Sequence, residues 1–167
     1  TSSCGTYHTA VIRLPSQTAG QISTGCPFIG WQLPTGFVIT GYGSSSACRI
    51  APSPTGGDFD ITIPRNDRET AVCAGSPVPV GFSYTSSTTV SRCGSGGTNG
   101  EGFTIGPVTG DTANICGAND LHIPSGYVPI AISESGCGSY FSITVKKIPS
   151  SGEILACRIG GQYRVPS

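Results

Sequence analysis

Three short stretches of this sequence share one pattern: a proline, one intervening residue, a glycine and an aromatic residue. They are Pro34-Thr35-Gly36-Phe37, Pro79-Val80-Gly81-Phe82 and Pro124-Ser125-Gly126-Tyr127. Proline presets φ for the first central residue of a β-turn, and glycine supplies a positive φ close behind it. β-prone residues follow each pattern. The pattern therefore predicts a turn that leads into a strand at three places in the chain.

The eight cysteines of the chain recur with a fixed period. They stand at Cys4, Cys26, Cys48, Cys73, Cys93, Cys116, Cys137 and Cys157. Taken alternately from the first, they are 44, 45 and 44 residues apart. Self-similarity at such a period is typical of a repeat architecture. We expect a single domain over residues 1–167, built from a tandem unit of about 44 residues that starts near Cys4, Cys48, Cys93 and Cys137.

Each proline pattern lies near the middle of a segment bounded by two cysteines, here called an A segment. We expect an A segment to be a β-hairpin with its turn at the pattern, so that its two cysteines meet at the open end. The expected disulfides are Cys26–Cys48, Cys73–Cys93 and Cys116–Cys137. Eight cysteines permit about 105 pairings, so it is the symmetry of the segments that selects these three.

The segments between the A segments, here called B segments, carry strand patterns of their own. Two of these patterns match each other over five residues: Phe59-Asp60-Ile61-Thr62-Ile63 and Phe141-Ser142-Ile143-Thr144-Val145. A shorter match is Phe103-Thr104-Ile105. Alternation of apolar and polar residues is typical of half-buried strands. A proline and a polar turn follow, so a B segment is expected to be a second hairpin. The fold class expected is all-β, with two hairpins in each disulfide-stapled repeat.

We expect the first and last cysteines to belong to an incomplete fourth A segment. The chain after Cys157 runs to Pro166, near an expected turn, and Thr1-Ser2-Ser3-Cys4 resembles the close of an A segment. In a closed four-repeat ring, Cys157 bonds Cys4 of the same chain. In an open array it bonds Cys4 of the next copy, so that pair is intermolecular. A β-trefoil-like core is a further alternative, which the extra B segment disfavours.

Composition excludes several classes of partner. The net charge is zero and 11% of residues are charged, against about 25% in ordinary domains. The basic residues form no stripe, so no nucleic-acid partner is expected. No apolar run approaches the roughly 18 residues that cross a bilayer, so no membrane span is expected. Well-spaced cysteines in even number indicate disulfides, hence a secreted protein, extracellular or at the cell surface.

Candidate catalytic and metal-binding groups are few. No two cysteines lie within the short spacing of zinc or iron–sulfur sites, so no metal or cofactor is expected. His8 and His122 are the only imidazoles, and both are expected to be surface or turn residues. Asp58 and Asp60 flank Phe59, but they form neither a glycosidase pair nor a calcium loop. The chain is therefore expected not to be an enzyme.

The aromatic residues divide into two groups. Phe37, Phe82 and Tyr127 recur at one position of the repeat, which favours a role in the core or between repeats. Trp31 and Tyr42 occur only in the first A segment. They are the candidates for stacking on the ring of a bound glycan.

The function favoured by these patterns is structural. An incomplete repeat at the two ends leaves an open strand edge, which invites a strand from another copy. We expect an extracellular subunit whose partners are copies of itself, joined head to tail in a filament or surface fibre. The alternative is a secreted carbohydrate-binding, lectin-like module whose repeats bind glycans with avidity. A protease inhibitor is the weaker alternative.

Overall fold

The computed structural model describes residues 14–26, 32–43, 57–94, 97–117 and 122–157. Every regular element within these ranges is a β-strand, which confirms the all-β prediction. The strands are β1 (Ser23–Gly25), β2 (Val38–Tyr42), β3 (Phe59–Thr62), β4 (Thr70–Cys73), β5 (Phe82–Val90), β6 (Gly100–Pro107), β7 (Thr112–Gly117), β8 (Tyr127–Cys137) and β9 (Tyr140–Lys147).

The nine strands form three small antiparallel sheets with the same topology. Sheet 1 has the order β1-β3-β2, sheet 2 the order β4-β6-β5, and sheet 3 the order β7-β9-β8. In each sheet the strand that comes last in the sequence is the central one. We call the strands of a sheet first, second and third in chain order, so the third strand pairs with both of the others.

This topology corrects the prediction of two hairpins per repeat. The expected A hairpin does not form, because β4, which ends at Cys73, and β5, which lies between Cys73 and Cys93, are on opposite sides of β6 and do not pair with each other. The two strands of a B segment, such as β6 and β7, lie in different sheets. The true hairpins join the second strand to the third, as β8 joins β9. Alternation in the sequence identifies a strand but not its partner, and this is why the pairing was wrong.

The proline patterns form the predicted turns, with one difference. The amides of Phe37, Phe82 and Tyr127 each donate to the carbonyl oxygen of the proline three residues earlier, at 3.1 Å. Proline is therefore the first residue of the turn and not its first central residue. The glycines follow with φ between 81° and 86°, a conformation that other residues adopt only at a cost.

A β-bulge recurs at the same position in all three sheets. The register against the third strand shifts between Ile39 and Gly41, between Tyr84 and Ser86, and between Pro129 and Ala131. The extra residue is in each case the third after the turn aromatic. Bulges bend a strand and increase its twist. The three sheets therefore share a local distortion as well as a strand order.

The register also corrects one match between the B segments. Tyr42 pairs with Phe59, Ser87 with Phe103 and Ile132 with Ile143. Ile143 is thus the counterpart of Phe59 in sheet 3. The sequence match predicted Phe141, which lies two residues earlier. The β8–β9 turn is much shorter than the β5–β6 loop, so counting from the cysteine and counting from the turn aromatic give different alignments.

The core extends through all three sheets. Its largest cluster consists of Val38, Val72, Phe82, Tyr84, Phe103, Ile105, Cys116 and Cys137. Smaller clusters lie within sheet 1 and sheet 3. The turn aromatics Phe37, Phe82 and Tyr127 are only 3%, 7% and 6% exposed, as their predicted core role requires. Burial of these rings fixes the start of each second strand against its sheet.

Candidate functional site

Two disulfides join the outer strands of single sheets. Cys73, the last residue of β4, bonds Cys93 just beyond β5, with the Cα atoms 5.1 Å apart. Cys116 of β7 bonds Cys137 at the end of β8, with the Cα atoms 5.6 Å apart. Both are pairings that the symmetry of the segments predicts. Because the first and second strands share no hydrogen-bonded ladder, each disulfide supplies a direct link between them.

The remaining cysteines differ in state. Cys26 is disulfide-bonded, but its predicted partner Cys48 lies outside the described residues, as does Cys4. Cys157 has a free thiol and is partly exposed. It follows the third strand β9 as Cys116 follows β6 and Cys73 follows β3. Cys157 therefore takes the place of the first cysteine in a further unit.

Cys157 lies against β8 of sheet 3. The backbone N–H of Cys157 donates a hydrogen bond to the carbonyl oxygen of Pro129 on β8, at 2.7 Å. In the other sheets, first strand β4 packs beside second strand β2, and β7 packs beside β5. Cys157 thus contacts the second strand β8 that precedes it, as the first strands β4 and β7 contact β2 and β5. We call such a contact between successive units a junction.

The junction between sheets 1 and 2 combines apolar packing with backbone hydrogen bonds. Val38 of β2 and Val72 of β4 are both fully buried in the shared core. The amide of Ile39 donates to the Ser76 hydroxyl at 2.8 Å. The amide of Tyr42 donates to the carbonyl oxygen of Arg92 at 2.5 Å. The outer edge of β2 is thus hydrogen-bonded to the loops of sheet 2.

An ion-pair cluster crosses the same junction. The Arg92 guanidinium, in the β5–β6 loop of sheet 2, pairs with the buried carboxylate of Asp60 in sheet 1. A second nitrogen of Arg92 lies 3.8 Å from Asp58. The Thr24 hydroxyl donates to the other oxygen of Asp60 at 2.7 Å. The two carboxylates that flank Phe59 therefore hold two sheets together, because a buried carboxylate is stable only when it is paired and hydrogen-bonded.

The junction between sheets 2 and 3 uses the same stretch of the second strand. The Ser83 hydroxyl donates to the carbonyl oxygen of His122 at 2.9 Å. The Ser87 hydroxyl donates to the carbonyl oxygen of Cys137 at 3.0 Å. The imidazole of His122 is partly buried here, and this burial lowers its pKa. Contacts at the start and the middle of β5 thus secure sheet 3.

An aromatic contact adds to this junction from the central strands. The ring of Tyr140 in sheet 3 lies 5.3 Å from that of Phe103 in sheet 2, between centroids. The Tyr140 hydroxyl donates to the carboxylate of Glu101, and this hydrogen bond raises the pKa of the Tyr140 phenol. A tilted aromatic pair of this kind contributes roughly 0.5–1.5 kcal/mol beyond its burial.

The two predicted glycan-binding aromatics are not brought together within the described structure. Trp31 lies outside the described residues. Tyr42 packs at the edge of the sheet 1 core, and burial raises the pKa of its phenol. A groove of about 320 Å³ opens elsewhere on sheet 1. Its lining does not include Tyr42 and consists of Leu14, Pro15, Ser23, Thr24, Gly25, Pro34, Phe59 and Ile61.

The sequence drew attention to Asp60 only as a possible catalytic or calcium-binding carboxylate, and it did not single out Arg92, Ser83 or Ser87. Arg92 and Asp60 are 32 positions apart and lie in different sheets, so no spacing rule relates them. Ser83 and Ser87 are small polar residues in a Ser- and Thr-rich strand. One weak signal could have pointed to Arg92 as a junction residue. Arg92 directly precedes Cys93, which the symmetry of the segments already placed at the end of a strand.

Other kinds of site are not found within the described ranges. No three His, Cys, Asp or Glu side chains there gather in a way that could hold a metal ion. The same part of the chain contains no helix of the length and apolarity needed to cross a membrane. Comparisons with known proteins found no matching family model, no matching curated protein and no matching solved structure.

Proposed function

We propose that this protein is a secreted, extracellular structural subunit that joins copies of itself head to tail into a filament or surface fibre. The observation that carries the proposal is the hydrogen bond from the Cys157 amide to the Pro129 carbonyl oxygen at 2.7 Å. It holds Cys157 beside β8 with its thiol free. In sheets 2 and 3 the corresponding cysteines, Cys73 and Cys116, bond the second cysteine of their own unit.

In the proposed assembly, a second copy supplies a second cysteine for the segment that ends at Cys157. Cys4-Gly5-Thr6-Tyr7 matches Cys137-Gly138-Ser139-Tyr140, where a second cysteine leads into the third strand β9. In the proposed contact, residues 4–14 of one copy supply the second cysteine and the third strand for residues 153–157 of another. The third strand is central in all three described sheets. A donated third strand would therefore pair with residues 153–157 on one of its two sides, as in strand addition to a sheet edge.

The covalent step of the proposal is thiol–disulfide exchange. The thiolate of Cys157 attacks a small-molecule or protein disulfide and forms a mixed disulfide, which releases one thiol. The thiolate of Cys4 from the next copy then attacks the sulfur of Cys157 and releases the second thiol. The two cysteines lose two electrons and two protons in total, and the oxidant is reduced to two thiols. This chemistry requires the oxidising environment in which structural disulfides persist.

The experiment compares the natural chain with Cys157→Ser by non-reducing electrophoresis and size-exclusion chromatography. We expect the natural chain to give a ladder of multimers that collapses to monomer with reductant, and Cys157→Ser to run as monomer on the gel. Ala156→Ser is the matched control, because it changes the neighbouring exposed residue and leaves the thiol in place. A natural chain that stays monomeric at all concentrations would overturn the proposal.

The carbohydrate-binding alternative stays a prediction based on Trp31 and Tyr42. A glycan array probed with the natural chain and with Tyr42→Ala would test it. The protease-inhibitor alternative likewise stays a prediction, which an inhibition screen against common proteases would test.

A further inference from the structure

One position of the second strand contacts the same feature of the next unit at both complete junctions. Tyr42 and Ser87 each stand five residues after the turn aromatic and pair with equivalent residues of the third strand. The Tyr42 amide donates to the carbonyl oxygen of Arg92, the residue before Cys93. The Ser87 hydroxyl donates to the carbonyl oxygen of Cys137. Both acceptors lie at the second cysteine of the following unit, or one residue before it.

Among the residues that the structure describes, none makes such a contact at the equivalent position in sheet 3. Ile132 stands five residues after Tyr127, and its exposed fraction is 44%. Its neighbour Ala131 is exposed as well, whereas the counterparts of Ala131 are buried in sheet 1 and partly buried in sheet 2. The rest of β8 as far as Gly136 is also exposed. An apolar side chain thus faces solvent where the other two sheets make a junction contact.

We infer that Ala131 and Ile132 of β8 are a docking surface for the second-cysteine segment, Ser3–Cys4, of a second copy of this chain. The inference rests on the proposed function and adds the place and the partner segment of the contact. Continuity with the two internal junctions identifies the occupant, since each covers this position with the residues at a second cysteine. Ser3-Cys4 is the stretch of the sequence at that place in a further unit. The segment is uncharged, which suits contact with an apolar side chain.

Substitutions at Ile132 test the surface without touching the thiol. Ile132→Asp puts a charge where the contact would bury it, so we expect the concentration needed for assembly to rise at least about tenfold. Ile132→Ser introduces the residue that occupies this position in sheet 2 and should preserve assembly. Val80→Asp is the control for added charge, because Val80 is 88% exposed on a turn of sheet 2. Circular dichroism and disulfide mapping of each monomer verify that it is folded.

Cross-linking identifies the occupant directly. Isotopically light chains with a photoreactive benzophenone residue at position 132 are mixed with heavy chains, irradiated and digested with trypsin. We expect light position-132 peptides joined to heavy peptides of residues 1–13. Cross-links confined to the light chain, or to other peptides, would overturn the inference, as would unchanged assembly of Ile132→Asp. If the natural chain still forms multimers in those cases, the proposed function stands and only the docking surface is wrong. If it forms none, the proposed function itself fails.

Discussion

Arg92 and Asp60 form an ion pair that joins two sheets of this protein across their junction. The carboxylate of Asp60 is buried, and it receives a second hydrogen bond from Thr24. The guanidinium of Arg92 also reaches Asp58, at 3.8 Å. The same residue accepts the amide of Tyr42 through its carbonyl oxygen. Arg92 thus holds sheet 1 against sheet 2 with both its side chain and its backbone.

Removing the Arg92 side chain should destabilise the protein. Arg92→Ala leaves the buried Asp60 carboxylate without its counter-ion, and breaking a buried pair costs about 3–5 kcal/mol. Because the side chain of Arg92 is 42% exposed, water can partly replace it, and we expect about 1–3 kcal/mol. The shift of the urea unfolding midpoint measures this.

The matched control is Arg65→Ala. Arg65 pairs with Asp67 within one exposed loop, so its loss should leave the unfolding midpoint unchanged. Equal effects of the two substitutions would show that the buried cluster at the junction has no special role.

The positive φ of the turn glycines predicts a backbone effect. Gly81 has a φ of 85°, and a Cβ added there would meet nothing within 4 Å. Gly81→Ala should therefore cost about 1–2 kcal/mol through the left-handed conformation alone. Val80→Ala in the same turn should have no measurable effect. Thermal unfolding of both variants is the measurement, and equal melting temperatures would contradict the account of the turn.

The disulfide of sheet 2 should contribute strongly to stability. Cys73 and Cys93 close a loop with a sequence separation of 20, for which the chain-entropy model gives about 3 kcal/mol. We expect the double variant Cys73→Ser/Cys93→Ser to lose this amount in guanidinium unfolding. Cys157→Ser, which removes a free thiol, should leave the monomer's unfolding curve unchanged. A double variant as stable as the natural chain would contradict the prediction.

Stability should fall in mild acid because of His122. Burial lowers the pKa of His122 from its ordinary value of 6.5, so the unfolded chain binds this proton more tightly than the folded one. The stability that the neutral His122 imidazole contributes is complete above its pKa in the unfolded chain. It is lost as the pH falls from there through its pKa in the folded chain. Melting temperatures at about pH 7.5 and about pH 5.5, above and below the ordinary pKa of histidine, measure this loss. In His122→Gln the difference should be smaller; an unchanged difference would assign the pH dependence to other groups.

The sequence predicted the local features of the fold that depend on single residue types. The turn glycines, the buried Phe37 and Phe82, and the Cys73–Cys93 disulfide all follow from residue chemistry and from the period of the repeat. These features need no knowledge of which strands are neighbours.

Strand pairing could not be predicted in the same way. The third strand of each sheet lies between the first and the second strand, although it follows both in the sequence. In sheet 2, for example, β6 lies between β4 and β5. The match of Phe141 to Phe59 was wrong because the length of the connection before the third strand differs between units. The contacts of Arg92, Ser83 and Ser87 depend on which sheets meet, and only the structure shows this.

Disulfide mapping of mixed chains shows whether Cys157 pairs with Cys4 of another copy. Equal amounts of isotopically light and heavy chains are reduced, mixed, reoxidised and digested with trypsin without further reduction. We expect the peptide of residues 148–158 to be linked to the peptide of residues 1–13, with light–heavy pairs in about half of the linked molecules, as random association between copies requires. Only light–light and heavy–heavy pairs would show a bond within one chain, and would contradict the account.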